Sequence, residues 1–322
     1  MHRSPAEGLT SPATGAPSPP APPIPPWPGE FVTTRTGQVY VRTAPAEPGA
    51  EPALCVHGLG GSSTNWTDLM DLLREPPHPL ACEALDLPGH GHSPPARDDD
   101  YTIRALATVV AALIERRDRG PVHLIANSLG GAVCTKLAAD RPDLVRTMTL
   151  VSPALPDLRP RSIPARISAL KVPGFGSWLI TRAGRIPPPQ RVAMTLRDVY
   201  FNPSRVHPQR VAEEVAEVDR MDVLGYGGDV LLKSAKGLIS EYLRRGPQTL
   251  WRDAARVAAS VLVIHGSNDR LVDPRMAARA ARTFPHVRTV ILSRTGHVAM
   301  MERPAEVVDE MRILLGQEAR AC

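Results

Sequence analysis

The stretch Val122-His123-Leu124-Ile125-Ala126-Asn127-Ser128-Leu129-Gly130-Gly131-Ala132-Val133 reads as a buried strand, a sharp turn and the start of a helix. Val122, Leu124 and Ile125 make a short apolar run rich in β-branched residues, which favours a strand. Beyond Leu129 come small residues and then Val133, Leu137 and Ala138, a helical face. Ser128 stands at the apex, where the backbone is strained and a hydroxyl projects clear of the sheet. Ala126, Gly130 and Gly131 are small enough to let strand and helix approach closely. The helix aims its N-terminal N–H groups at the space above Ser128. A plainer reading makes Ser128 a helix cap, so its meaning depends on the rest of the chain.

Around this stretch lie 322 residues, enough for one large α/β domain or two smaller ones with a sizeable core. The formal charge is +5, but arginine is abundant and the lysines are only Lys136, Lys171, Lys233 and Lys236, a profile of codon usage more than of a basic surface. Aromatic residues make up 4%, too few for basic-aromatic clusters, so nucleic-acid binding is not expected. Cys55 and Cys82 fall in apolar strand runs and Cys134 on the helix after Ser128; with Cys322 they suggest neither a disulfide framework nor a metal cluster. The N-terminus lacks the apolar core of a signal peptide, and the longest apolar run, Ala105 to Ile114, is too short to span a bilayer. A soluble cytoplasmic protein without a transmembrane segment is expected.

Residues 1–28 are mostly Pro, Ala, Ser and Gly and predict a disordered or polyproline tail, a solvated extension rather than a ligand for a proline-binding module. Phe31 to Val41 predicts a hairpin turning at Thr36-Gly37-Gln38. The strand Ala53 to Val56 runs into His57-Gly58-Leu59-Gly60-Gly61-Ser62-Ser63-Thr64-Asn65-Trp66; no Gly-Lys-Ser/Thr follows, which argues against a phosphate cradle. Trp66 to Arg74 predicts a helix, Cys82 to Leu87 a strand, and Asp86-Leu87-Pro88-Gly89-His90-Gly91-His92-Ser93 a loop. No carboxylate or cysteine joins His90 and His92 at ligand spacing, so they read as loop packing rather than a metal site. Ile103 to Arg117 predicts a helix, His123 a core histidine and Thr147 to Val151 a strand. From 153 to about 255 the strand–helix alternation stops, and helical runs such as Gln209 to Met221 and Asp229 to Arg245 replace it. The strand Val261 to Gly266 precedes Ser267-Asn268-Asp269-Arg270-Leu271-Val272-Asp273-Pro274. Another strand, Val287 to Leu292, leads to Arg294-Thr295-Gly296-His297-Val298-Ala299-Met300-Met301-Glu302-Arg303-Pro304, and a helix from Ala305 to Leu315 closes the chain.

In this order the motifs resemble those of the α/β-hydrolase fold family, in particular its serine esterases and lipases, over nearly all of residues 31–316. Ala126 departs from the commoner Gly-x-Ser-x-Gly elbow. The resemblance implies an α/β fold with a doubly wound, mostly parallel eight-stranded sheet. The core would occupy 29–152 and 256–322, with a helical cap, 153–255, inserted after the sixth strand. It also implies Ser128 as nucleophile, Asp269 as acid and His297 as base, in the family's chain order. The backbone N–H groups of Leu59 and Leu129 would form the oxyanion hole. Asp273, which reads as a helix cap, and Asp157, after an earlier strand, are rivals for the acid. In the cap, Leu170, Val172, Phe175, Trp178, Leu179, Ile180, Met194, Tyr200, Phe201, Leu224 and Tyr226 either line an acyl pocket or pack the cap on the core.

The resemblance points to hydrolysis of a carboxylic ester with a small or medium acyl group, through an acyl-enzyme on Ser128 and without metal or organic cofactor. The expected partner is a small-molecule ester or acyl substrate. C–C bond hydrolysis of meta-cleavage products is the alternative: Asn127-Ser128, the Gly-rich first loop and Asn65 resemble that group. Val298 and His57 stand where its members usually carry Trp and Ser. Epoxide hydrolases and haloalkane dehalogenases need Asp at the position of Ser128, whereas perhydrolase or acyltransferase chemistry fits the same triad. A non-catalytic ligand-binding protein on this scaffold would be marked by a missing triad member, and all three are present. The chain is expected to be a monomer or a homodimer.

Overall fold

The structure, a computed structural model, describes residues 23–157, 174–246 and 248–321. β1 (Gly29–Thr34) and β2 (Gly37–Thr43) pair as the expected hairpin. β3 (Glu51–Val56), β4 (Leu80–Asp86), β5 (Val122–Asn127), β6 (Val145–Val151), β7 (Ser260–Gly266) and β8 (Val287–Leu292) complete an 8-stranded sheet of order β1-β2-β4-β3-β5-β6-β7-β8. β2 is antiparallel to β1 and β4, and every other neighbouring pair is parallel.

Parallel neighbours cannot be joined by a tight turn and need crossovers. α1 (Thr67–Leu73), α2 (Ile103–Arg117), α3 (Leu129–Asp140) and α9 (Met276–Thr283) supply them, and α10 (Ala299–Glu302) and α11 (Pro304–Ala321) end the chain. The start of α2 is fixed locally, because the Thr102 side chain accepts from Ala105 N. The strands are apolar on both faces, as a sheet covered twice requires. Leu54, Val56, Leu124, Leu150 and Val263 pack with Leu106 and Val110 of α2 and Val133 of α3. The alternate residues Cys55, Ile125, Val151 and Ile264 pack with Leu69 of α1 and Val307 and Met311 of α11.

The crossover from β6 to β7 carries the cap helices α4 (Phe175–Ala183), α5 (Pro188–Val199), α6 (Pro208–Leu224) and α7 (Gly227–Leu243). Proline opens α5 and α6, where the missing N–H costs nothing. α8 (Leu250–Ala254) falls inside the segment expected to form the cap, yet Leu250 and Ala254 are fully buried in the core cluster that includes α3. The C-terminal end of the expected tail, residues 23–28, is held against the core. Residues 1–22 lie outside the described residues, but Trp27 Nε1 donates to Thr67 O at 3.1 Å. Arg210 of α6 donates to Ile24 O at 2.9 Å and pairs with Asp68 of α1. One indole with one donor thus anchors the segment just before β1.

The C-terminal ends of β3, β5, β7 and β8 share one edge of the sheet, the edge where open α/β sheets place their ligands. The loops singled out in the sequence leave from these ends.

Candidate active site

Ser128 follows β5 directly and adopts φ 51°, ψ −115°, a region that L residues rarely occupy. Surrounding bonds hold it there. Its N–H donates to Val151 O at 3.1 Å, and its carbonyl accepts from Ala132 N at 3.2 Å and Ala154 N at 2.9 Å. No cap bond leaves the Ser128 side chain, so the helix-cap reading fails. The neighbouring glycines are a steric necessity. A Cβ on Gly130 would overlap the backbone of Val56 and His57, and one on Gly131 would stand 2.7 Å from Pro153 Cβ.

The loop after β3 presses against the same serine. A Cβ on Gly58 would stand 2.9 Å from Asn127 Oδ1 and 3.1 Å from Ser128 Cβ. Gly61 N bonds to Gly58 O at 3.1 Å, turning the chain at Leu59 and Gly60, with Gly60 at φ 73°. His57 anchors the loop from below. Its Nε2 accepts from Leu87 N at 3.0 Å and its Nδ1 donates to Gly58 O at 2.8 Å, and burial lowers its pKa to about 4. Asp86 adds a second anchor by accepting from Ser63 N at 2.6 Å and His92 N at 2.8 Å. Leu129 is the first residue of α3, and N–H groups of a first turn have no acceptor within the helix.

His297 lies in the loop after β8, and its Nδ1 bonds Asp269 Oδ2 at 2.8 Å. Asp269 is fully buried. Its other oxygen accepts from Leu271 N at 2.8 Å and Val272 N at 2.9 Å. Burial opposes its ionisation, but His297 and the backbone donors outweigh burial and hold the carboxyl below the usual range. Asp157 faces the cavity, and Asp273 bonds Arg275 N at 2.9 Å ahead of α9. Neither takes the place of Asp269 on His297 Nδ1.

Two further residues hold the histidine loop, and their roles were not anticipated. Asn127 Nδ2 donates to Val151 O at 2.9 Å and to His297 O at 3.2 Å, tying the elbow to that loop. Glu302 accepts from Gly296 N at 2.7 Å and from Phe201 N and Asn202 N, both at 3.1 Å, tying the loop to the cap. His297 N itself bonds Val199 O at 2.7 Å.

Ser128, His297, Gly58 and Leu59 meet in one cavity of about 760 Å³ between the core and the cap. Its cap wall is built mainly from residues other than the bulky ones singled out in the sequence. Thr195, Leu196 and Val199 of α5 and Leu231, Ala235, Leu238, Ile239 and Tyr242 of α7 line it. Of the apolar cap residues singled out in the sequence, Tyr200 lines the cavity, whereas Trp178, Leu179, Met194 and Leu224 are exposed. Leu170 and Val172 lie outside the described residues. Among the described residues, no group of three or more His, Cys, Asp and Glu side chains could hold a metal ion. None of the helices described is long and apolar enough to cross a membrane.

Residues 53–310 match the model of the alpha/beta hydrolase family. The chain belongs to this family. It is 27% identical over 271 residues to the dihydrolipoyllysine-residue acetyltransferase component of the acetoin cleaving system of Cupriavidus necator, a match covering 82% of the chain and 63% of that protein. The chain thus spans less than two thirds of that relative's length. It is 25% identical over 280 residues to an esterase of Mycobacterium tuberculosis, with 83% of each protein covered. In fold it is similar to the 2-hydroxy-6-oxo-6-phenylhexa-2,4-dienoate hydrolase of Rhodococcus sp. strain RHA1, with a TM-score of 0.66, 20% identity and 91% and 100% of the two chains covered.

Proposed function

We propose that this α/β hydrolase cleaves carboxylic esters of small or medium acyl substrates through an acyl-enzyme on Ser128. The observation that carries the reading is the strained Ser128 and the Asp269-bonded His297 opening into one cavity. With Nδ1 taken by Asp269, His297 offers Nε2 to the serine hydroxyl, takes its proton as Oγ attacks the ester carbonyl, and returns it to the departing alkoxide. Asp269 fixes the tautomer and offsets the imidazolium charge. The tetrahedral oxyanion is received by the N–H groups of Leu59 and Leu129, where loss of one such donor costs roughly 3 kcal/mol of barrier. Water then attacks the acyl-enzyme with His297 as base. Protein groups and water suffice for each step, and a cavity of about 760 Å³ suits a small-molecule ester.

The test is intact-mass measurement after exposure to a fluorophosphonate, on the wild type and on Ser128→Ala. One adduct on the wild type and none on the variant, with ester turnover lost in the variant, supports the reading. Equal turnover in the two proteins overturns it.

A further inference from the structure

The cap wall of the cavity joins an apolar face of α7 to charged side chains, among them Glu214 of α6. Glu214 Oε1 accepts from Asn65 Nδ2 at 3.0 Å. The Asn65 amide has one sensible orientation, because its Oδ1 accepts from Ser62 N at 3.0 Å. Asn65 thereby joins Glu214 to the loop that carries Leu59.

The neighbouring carboxylates on α6 have cations. Glu213 pairs with Arg210 at 2.7 Å and Glu217 with Arg220 at 2.6 Å. Glu214 has the neutral amide of Asn65 and no cation, and its Oε2 has no protein partner among the described residues. Burial and the nearby Glu217 push its carboxyl up to about 7, partly offset by the Asn65 bond. A wall that only excluded water would be served better by Leu or Met, since a carboxyl without a counter-ion costs stability in such a place.

We propose that Glu214, oriented by Asn65, is a specificity residue that accepts a hydrogen bond from a hydroxyl on the substrate, so that the preferred substrates are esters of hydroxylated alcohols or acids. This rests on the esterase reading of the same site. Glu214 offers the cavity an acceptor oxygen held in place by Asn65, and a hydroxyl is a donor that a neutral ester can carry. The acidic side chains Asp157 and Asp198 share the cavity with Arg244 and Arg245, so the carboxylate is set into a wall of mixed charge.

The test compares kcat/KM within substrate pairs that exchange one hydroxyl for a methyl. 2-Hydroxyethyl butanoate against propyl butanoate probes the alcohol side, and ethyl 3-hydroxybutanoate against ethyl 3-methylbutanoate probes the acyl side. In the wild type one pair favours the hydroxyl member about tenfold, as one net hydrogen bond allows. In Glu214→Met that preference disappears. In Glu214→Gln, which retains a partner for Asn65, it is reduced but present. A wild type with no preference in either pair overturns the proposal. So does a proportional loss on both members in Glu214→Met, which would make Glu214 only a latch between cap and core. A stronger preference for 2-aminoethyl butanoate than for 2-hydroxyethyl butanoate also overturns it. Should Glu214→Met fail to fold, an unchanged preference in Glu214→Gln is decisive against it. Fluorophosphonate labelling of the same preparations separates the two readings. An unlabelled Ser128 removes the esterase reading and the hydroxyl site with it, whereas a labelled Ser128 with flat ratios removes the hydroxyl site alone.

Discussion

His297 Nδ1 and Asp269 Oδ2 stand 2.8 Å apart, and the second oxygen of that carboxylate takes the backbone N–H groups of Leu271 and Val272. The aspartate is therefore held on both sides, and the imidazole has one tautomer available to it. Asp269→Asn keeps the shape but presents an amide to Nδ1, and kcat should fall by about 10⁴. Asp157→Asn, in the same cavity but off His297 Nδ1, should lower kcat by less than about tenfold, because it leaves the tautomer unchanged. Steady-state kinetics of the two variants on one ester check the assignment, and the reverse ranking would move the acid to Asp157.

Gly58 touches the elbow with no room for a side chain. A Cβ there meets Asn127 Oδ1 at 2.9 Å and Ser128 Cβ at 3.1 Å. Gly58→Ala should push the Leu59 N–H away from the oxyanion position and lower kcat about 10²-fold or more, the loss expected for one misplaced donor. KM should change much less, since the cavity walls stay in place. An unchanged kcat would mean that the Leu59 N–H is not a donor to the oxyanion.

The strand ends and their loops are legible in the sequence because each follows a short apolar run and carries a residue type that the proposed chemistry restricts. Ser128 is betrayed by Gly130 and Gly131, which the turn makes obligatory. The cavity lining is less legible when bulky apolar residues are chosen by type. Trp178 is 56% exposed and Met194 53% exposed, whereas Leu231, Ala235, Leu238, Ile239 and Tyr242 line the cavity at helical spacing on α7. Periodicity reveals that face, but not that it covers a cavity rather than another helix. Glu214 hides in an acidic run. Arg210 lies three residues before Glu213 and four before Glu214, so spacing leaves both pairings open, and the cavity exposes only one of these carboxylates. Trp27 shows the converse, one aromatic residue giving a Pro-rich sequence a place on the core.

The buried His57 makes stability depend on pH. Its pKa is about 4 in the fold, against about 6.5 for a free imidazole. Between these values the unfolded chain holds a proton that the folded chain does not, so stability is complete above pH 6.5 and falls as pH drops toward 4. Protonation would also turn Nε2 from the acceptor of Leu87 N into a second donor. The gap between the folded and free values corresponds to about 3 kcal/mol of stability. Urea unfolding at pH 7 and pH 4.5 should show the loss, and the difference should shrink in His57→Gln, whose side-chain oxygen can accept from Leu87 N without titrating. An equal difference in both proteins would place the acid sensitivity elsewhere.

Glu302 joins two parts of the molecule that must stay in register. Its carboxylate receives Gly296 N from the histidine loop and Phe201 N and Asn202 N from the segment after α5. Removing it in Glu302→Ala leaves part-buried backbone donors without an acceptor, a cost of about 2 kcal/mol, or roughly 4–8 °C in Tm at the 2–4 °C per kcal/mol of larger domains. The same change frees Gly296 beside His297, so kcat should fall about tenfold or more through looser placement of the base. Glu302→Gln keeps one acceptor oxygen and should lie between the wild type and Glu302→Ala in both measurements. If Tm drops while kcat holds, Glu302 serves the cap alone; if both follow the same order across the three proteins, the carboxylate couples the cap to the position of His297.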